Sequence, residues 1–163
     1  MSAPYGQWYR ALEEVARTLR PDDPTTITDT KAIRKAALAP DEAVLAYITL
    51  GDHEAVTLWL LTNFRRVVRL QFVADRVRHR SFPLAQITFL GGEIEGTTSR
   101  MTEVAGFDAV QFQFVIHDEM PIELTLPVNT PNCVAGREEI EFAQKLLGAL
   151  FTESDHERNY RVD

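Results

Sequence analysis

Between residues 41 and 127 apolar side chains recur at every second position, in runs of six to nine residues closed by glycine, proline, asparagine or aspartate. Period two marks half-buried β-strands, because successive side chains leave opposite faces of the chain. The pattern predicts strands over 42–50, 55–62, 66–73, 76–82, 85–90, 109–116 and 121–126. Gly51-Asp52 turns the first strand, Pro83 ends the fourth and Gly91-Gly92 closes the fifth. Residues 93–108 read as loop, and "HDEM" at 117–120 joins the last two strands as a hairpin.

Helical spacing appears only at the two ends. In "YGQWYRALEEVARTLR" (5–20), Tyr5, Trp8, Tyr9, Leu12, Val15 and Leu19 form one apolar stripe, ended by Pro21 and Pro24. Residues 28–39 predict a second, weaker helix, capped by Thr28 or Asp29 and stopped by Pro40. These 40 residues are too few to bury their own stripe, so they read as a helical appendage. After a connection marked by Pro127, Pro131 and Gly136, residues 137–151 predict an amphipathic helix. Its apolar face is Ile140, Ala143, Leu146, Leu147, Leu150 and Phe151, and its opening acids suit the helix dipole. Residues 152–163 read as a frayed polar tail. The fold class expected is α+β, mainly β: a bent antiparallel sheet or partly open barrel of about seven strands with a helix at its C-terminal end.

These pieces resemble a known family. "DEAVLAYITL", "VTLWLLTNFRRVVRL" and "SFPLAQITFL", followed by a hairpin and a helix, look like a bacterial pleckstrin-homology-like (PH-like) domain of the GRAM type. "LTNFRR" (61–66) and "SFPLAQI" (81–87) carry most of the likeness, which spans 41–151. The resemblance implies an interaction or self-assembly module. Eukaryotic members often bind phosphoinositides with basic residues in the first hairpin loop. Here that loop, "GDHEA" (51–55), is acidic apart from His53, so the usual lipid pocket is not expected.

Charge sharpens the functional question. The net charge is −7, yet residues 65–80 hold six arginines against one acid, Asp75. Residues 1–80 carry 12 basic and 10 acidic side chains, and residues 81–163 carry 5 and 14. An acidic chain is a poor general nucleic-acid binder, since phosphate affinity rests on positive charge. No apolar run reaches the ~20 residues of a membrane span, and "MSAPYGQWYR" is not a secretory signal. With Cys133 the single cysteine, an internal disulfide is excluded, and a cytoplasmic protein is expected.

The strand register follows from matching apolar positions. An Ala74-Asp75 turn sets Val73 against Arg76, Gln71 against Arg78, Leu70 against His79 and Arg69 against Arg80. An Asn63–Arg65 turn sets Leu60 against Val68, Leu58 against Leu70 and Val56 against Phe72. One face is then a continuous apolar core. The other carries Trp59 beside Arg69 and Arg80, with Arg78 and Arg76 beyond. Paired arginines repel, so something must offset them. Cation–π contact with Trp59, internal carboxylates such as Glu13 and Glu14, a protein partner and a bound anion are the alternatives. Trp59, Arg65, Arg66, Arg69, Arg76, Arg78 and Arg80 are therefore the candidate partner- or anion-binding residues.

Nothing else points to chemistry. His53, His79, His117 and His156 lack metal-ligand spacing. His79 is expected on the core side and His117-Asp118 in a turn. "GGEIEG" (91–96) lacks the lysine of a phosphate loop, Glu93 and Glu95 lack a visible pocket, and Cys133 lacks a basic activator. The Tyr5-Trp8-Tyr9 stripe is expected to pack on protein rather than membrane. The expectation is a non-catalytic module with no cofactor or metal. It would bind a protein or a second copy through strand edges and the arginine–tryptophan face, or, alternatively, an anionic ligand or lipid headgroup through Arg69, Arg76, Arg78 and Arg80.

Overall fold

Strand order follows from the turns. Each of the first three strand-to-strand links is too short for a crossover, so each strand must fold back on its predecessor. The computed structural model describes residues 6–22, 30–95, 109–129 and 137–160. It is an α+β structure of two antiparallel sheets and three helices. The first sheet contains β1 (Val44–Gly51), β2 (Ala55–Thr62), β3 (Arg66–Val73) and β4 (Arg76–Pro83), in that order. The second contains β5 (Ile87–Glu95), β6 (Ala109–Ile116) and β7 (Ile122–Asn129). The helices are α1 (Gly6–Leu19), α2 (Thr30–Ala37) and α3 (Arg137–Tyr160). Among the described residues the strands form two separate sheets and do not close into a barrel. Pro83 ends β4, a 3-10 turn over Leu84–Gln86 follows, and β4 and β5 are not neighbours in either sheet. The chain accordingly divides into two compact units between Pro83 and Leu84.

The register in the first unit is the one predicted. Leu60 pairs with Val68, Leu58 with Leu70 and Val56 with Phe72. Across the next hairpin Arg69 pairs with Arg80, Leu70 with His79 and Val73 with Arg76. Two tight positions hold the hairpins in place. Gly51 has φ +124°, and a Cβ there would lie 2.2 Å from the Ala55 carbonyl oxygen. Ala74 takes φ +52°, a left-handed conformation that costs an L-residue about 1–2 kcal/mol.

The helices before β1 are structural. Trp8, Ala11, Leu12 and Val15 of α1 are buried against Tyr47, Val56, Leu58, Leu60, Leu70 and Phe72, with Ala37 and Leu38 closing the same core. The small Ala11 and Ala16 let α1 lie close to the sheet. Tyr9, placed on the apolar stripe by its spacing, is instead 53% exposed, because Trp8 takes the inward position. α1 and α2 therefore complete the core of the first sheet, and they do so on the Leu58–Leu60 side rather than the Trp59 side. The Trp59 side is buried as well: Ile48, Trp59, Leu61, Val67 and Phe82 are each at most 4% exposed.

In the second unit β5 does not stop at Gly91-Gly92. A bulge at Leu90, accommodated by Gly91 at φ +128°, lets pairing with β6 resume and run to Glu95. β7 likewise continues through Pro127, which an edge strand tolerates because one side needs no N–H donor. α3 packs on β5, β7 and the 3-10 turn. It buries Phe142, Ala143 and Leu146, while Phe151 is exposed. The helix extends to Tyr160, so the stretch read as a frayed tail is largely helical. His117 follows β6 and ties that end to the start of β5: its backbone N–H donates to the Gln86 carbonyl at 2.7 Å, and its Nε2 lies 2.9 Å from Thr88 Oγ1. Tyr5, the Thr28/Asp29 cap, residues 96–108, Pro131, Cys133, Gly136 and the side chains of Glu93, Glu95, Ile140 and His156 lie outside the described residues.

If α1 is integral to the first unit, Trp8→Ala costs the cavity as well as the transfer energy. The expected loss is roughly 3–5 kcal/mol in urea unfolding followed by far-ultraviolet circular dichroism. A loss below 1 kcal/mol would show α1 to be a detachable appendage.

Candidate functional site

The arginine-rich stretch separates into three environments. The first is a buried clamp. Glu42, which precedes β1, is 1% exposed. Arg66, at the start of β3, approaches it bidentately: Nε donates to Oε2 at 2.6 Å and Nη2 donates to Oε1. Thr62 Oγ1 donates to Oε2 at 2.5 Å and the Ala39 N–H to Oε1 at 2.9 Å. Arg66 Nη2 also donates to the Ala37 carbonyl at 3.0 Å, and Arg34 Nη2 to the Glu42 carbonyl at 2.7 Å. The Asn63 side chain accepts from the Ala43 N–H at 2.8 Å. One carboxylate thus joins the end of α2, the start of β1 and the β2–β3 turn. Burial pushes its pKa up, but the hydrogen bonds from Arg66, Thr62 and Ala39, with the charge of Arg66, outweigh that and hold it below the usual glutamate value. The hydrogen bond to Glu42 raises Arg66 in turn.

The second environment is aromatic. The Arg69 guanidinium lies 5.8 Å from the Trp59 ring and 5.7 Å from the Phe82 ring. Arg80 lies 5.2 Å from Phe82. Trp59 and Phe82 are neighbours at 6.3 Å. The directly opposed Arg69 and Arg80 therefore share an aromatic floor, each contact worth ~0.5–2 kcal/mol. The expected cation–π contact is present, and Phe82 is the residue that sequence reasoning missed. Its pairing with Val67 in the predicted register was the available signal. Trp59 itself is 4% exposed, so its ring presents no open surface. Glu13 and Glu14 do not serve these arginines; both lie beside Arg17 of their own helix, at 3.8 and 3.1 Å.

The third environment is the open edge. β4 ends the first sheet, and among the described residues no strand pairs with its outer side. Residues 76–81 are all exposed. Arg76, Arg78 and Arg80 alternate on one face, and Val77, His79 and Ser81 on the other. His79, expected in the core, is exposed because β4 lies at the margin of the sheet: α1 packs on β1 and β2, and α2, which does reach β4, leaves residues 76–81 exposed. Val73 and Val77 are 49% and 38% exposed beside the arginines. Arg65 occupies the β2–β3 turn at φ +56° and is exposed, away from this edge. Of the seven candidate residues the structure thus gathers Arg76, Arg78 and Arg80 at the edge, with Arg69 and Trp59 beneath, and assigns Arg66 to the clamp.

The first hairpin loop is committed to its own geometry. Asp52 Oδ1 accepts from the Glu54 N–H at 2.9 Å and the Ala55 N–H at 3.3 Å, which lowers its pKa. Among the described residues no cluster of three or more histidines, cysteines or carboxylates is placed to hold a metal, and no helix is long and apolar enough to cross a membrane. In comparisons with protein-family models, characterised proteins and solved structures, nothing matches this chain.

The clamp makes a pH-dependent prediction. The folded-state pKa of Glu42 lies below its unfolded value, so its contribution is fully present above the ordinary value of 4.5 and is lost as the pH falls through the lowered value. Glu42→Gln is expected to cost roughly 2–4 kcal/mol at neutral pH, less than a fully buried orphan charge because Arg66 reaches water. The gap between wild type and variant, measured by denaturant unfolding across pH, should narrow below 4.5. A gap that stays constant with pH would assign the effect to shape alone.

Proposed function

We propose that this chain is a non-catalytic PH-like interaction module of the cytoplasm that takes up an acidic, extended segment of a partner protein along β4. The observation that carries this reading is the exposed β4 edge, with three arginines on one face and Val73 and Val77 beside them. Unpaired strand edges are templates for an added strand, whose backbone supplies affinity while alternate side chains supply selectivity. A partner strand alternating acidic and apolar residues would set its carboxylates against Arg76 and Arg78. The seven strands followed by a helix support the PH-like relationship.

Charge decides against symmetric self-pairing through the same edge. Two copies joined β4 to β4 would bring six arginines together, and like charges on adjoining strands destabilise a sheet. A phosphate clamp is weakly supported, since Arg66 is committed to Glu42 and Arg69 and Arg80 lie over aromatic rings.

The test is fluorescence anisotropy with a labelled peptide of alternating glutamate and valine. Saturable binding is expected. It should weaken at least ten-fold in high salt and in the double variant Arg76→Glu, Arg78→Glu, both at exposed positions. Binding unchanged by that variant sinks the proposal. Pelleting on phosphatidylglycerol vesicles without peptide binding replaces it with a membrane reading. A wild-type oligomer by light scattering that the double variant dissolves replaces it with self-assembly.

A further inference from the structure

We propose that a hollow between α1 and α2 binds a small amphipathic anion, a single carboxylate or phosphate head on an apolar body. Its lining shares no residue with the arginines of β4 or with the first hairpin loop. Its volume is about 420 Å³, within the ~300–1,000 Å³ typical of small-molecule sites. Leu38, Ala39 and Pro40 supply apolar wall, Tyr9 of α1 supplies a ring, and Lys31, Arg34 and Lys35 of α2 supply three cations. Among the described residues no acidic side chain lines it.

The walls are held in place. Leu38 is 5% exposed and belongs to the core of the first unit. The Ala39 N–H donates to the Glu42 carboxylate at 2.9 Å, and its carbonyl accepts from the Glu42 N–H at 3.1 Å. Arg34 is half-buried and anchored through Nη2 to the Glu42 carbonyl at 2.7 Å. The buried clamp thus fixes one side of the hollow before any ligand arrives, which lowers the ordering cost of binding.

The cations need explaining. Lys31 and Lys35 stand at i and i+4, so they share one helix face and repel. The helix dipole favours Lys35 in the last turn of α2, but it opposes Lys31 in the first. An anionic head between the two lysines offsets both penalties. Tyr9, turned away from the sheet and 53% exposed, is explained by the apolar body that would lie against it. The concave shape suits a free molecule, whereas membrane docking calls for an apolar face that inserts among lipids.

The experiment uses two fluorescent probes of similar size, anilinonaphthalene sulfonate (anionic) and phenylnaphthylamine (neutral), titrated into the full chain. The anionic probe is expected to bind at one site at least ten-fold more tightly than the neutral one, and monomeric dodecyl phosphate should displace it. Lys31→Gln with Lys35→Gln should weaken it at least ten-fold while leaving circular dichroism unchanged, since both side chains are exposed. Arg76→Glu with Arg78→Glu should leave it unaffected, so this site and the β4 edge fail independently. Equal affinity for the two probes, or binding indifferent to the lysine variant, overturns the proposal. Lysine-dependent pelleting on phosphatidylglycerol vesicles without probe binding also overturns it, in favour of a membrane headgroup.

Discussion

A single buried carboxylate organises the first unit. Glu42 sits where α2, β1 and the β2–β3 turn converge, and it accepts from two side chains and a backbone N–H. A charge in such a place is unfavourable unless its lone pairs are filled. Here they are filled by groups from three different elements, so none of the three can shift without orphaning it. This explains how helices preceding the sheet come to be part of its core. It also accounts for one of the arginines that make residues 65–80 conspicuous: Arg66 serves the fold.

The remaining arginines show a division between packing and surface. Arg69 and Arg80 would repel across the β3–β4 pair, yet Phe82 and Trp59 give both a ring to lie over. Arg76 and Arg78, nearer the hairpin tip, face open solvent at the sheet margin. The stretch is thus graded, from a buried ion pair at one end, through aromatic contacts, to an exposed cationic edge. Only the last part has chemistry left over for a partner.

Much of this architecture was legible in the sequence. The register from Val56 to Arg80 followed from matching apolar positions, because a one-residue slip would expose every one of them. What was not legible depended on partners distant in sequence. Glu42 and Arg66 lie in separate strand signals, and no local pattern shows that they meet. Tyr9 fits a helical stripe as well as Trp8 does, and only the space against the sheet decides which ring goes inside. His79 satisfied the alternation but lies at the margin of the sheet. Gly91 reads as a stop, yet its positive φ permits a bulge that carries the strand onward.

The two tryptophans, Trp8 and Trp59, both precede Pro83 and sit on opposite faces of the same sheet, each buried. Intrinsic tryptophan emission from this protein therefore originates wholly in the first unit. Far-ultraviolet circular dichroism, in contrast, draws on both units, with the 14 residues of α1 and 8 of α2 in the first and the 24 of α3 in the second. The chain thus carries one signal that arises in the first unit and one that both units share. Coincident melting of the two signals would mean that the halves unfold as one cooperative body, and displaced transitions would measure how independent they are.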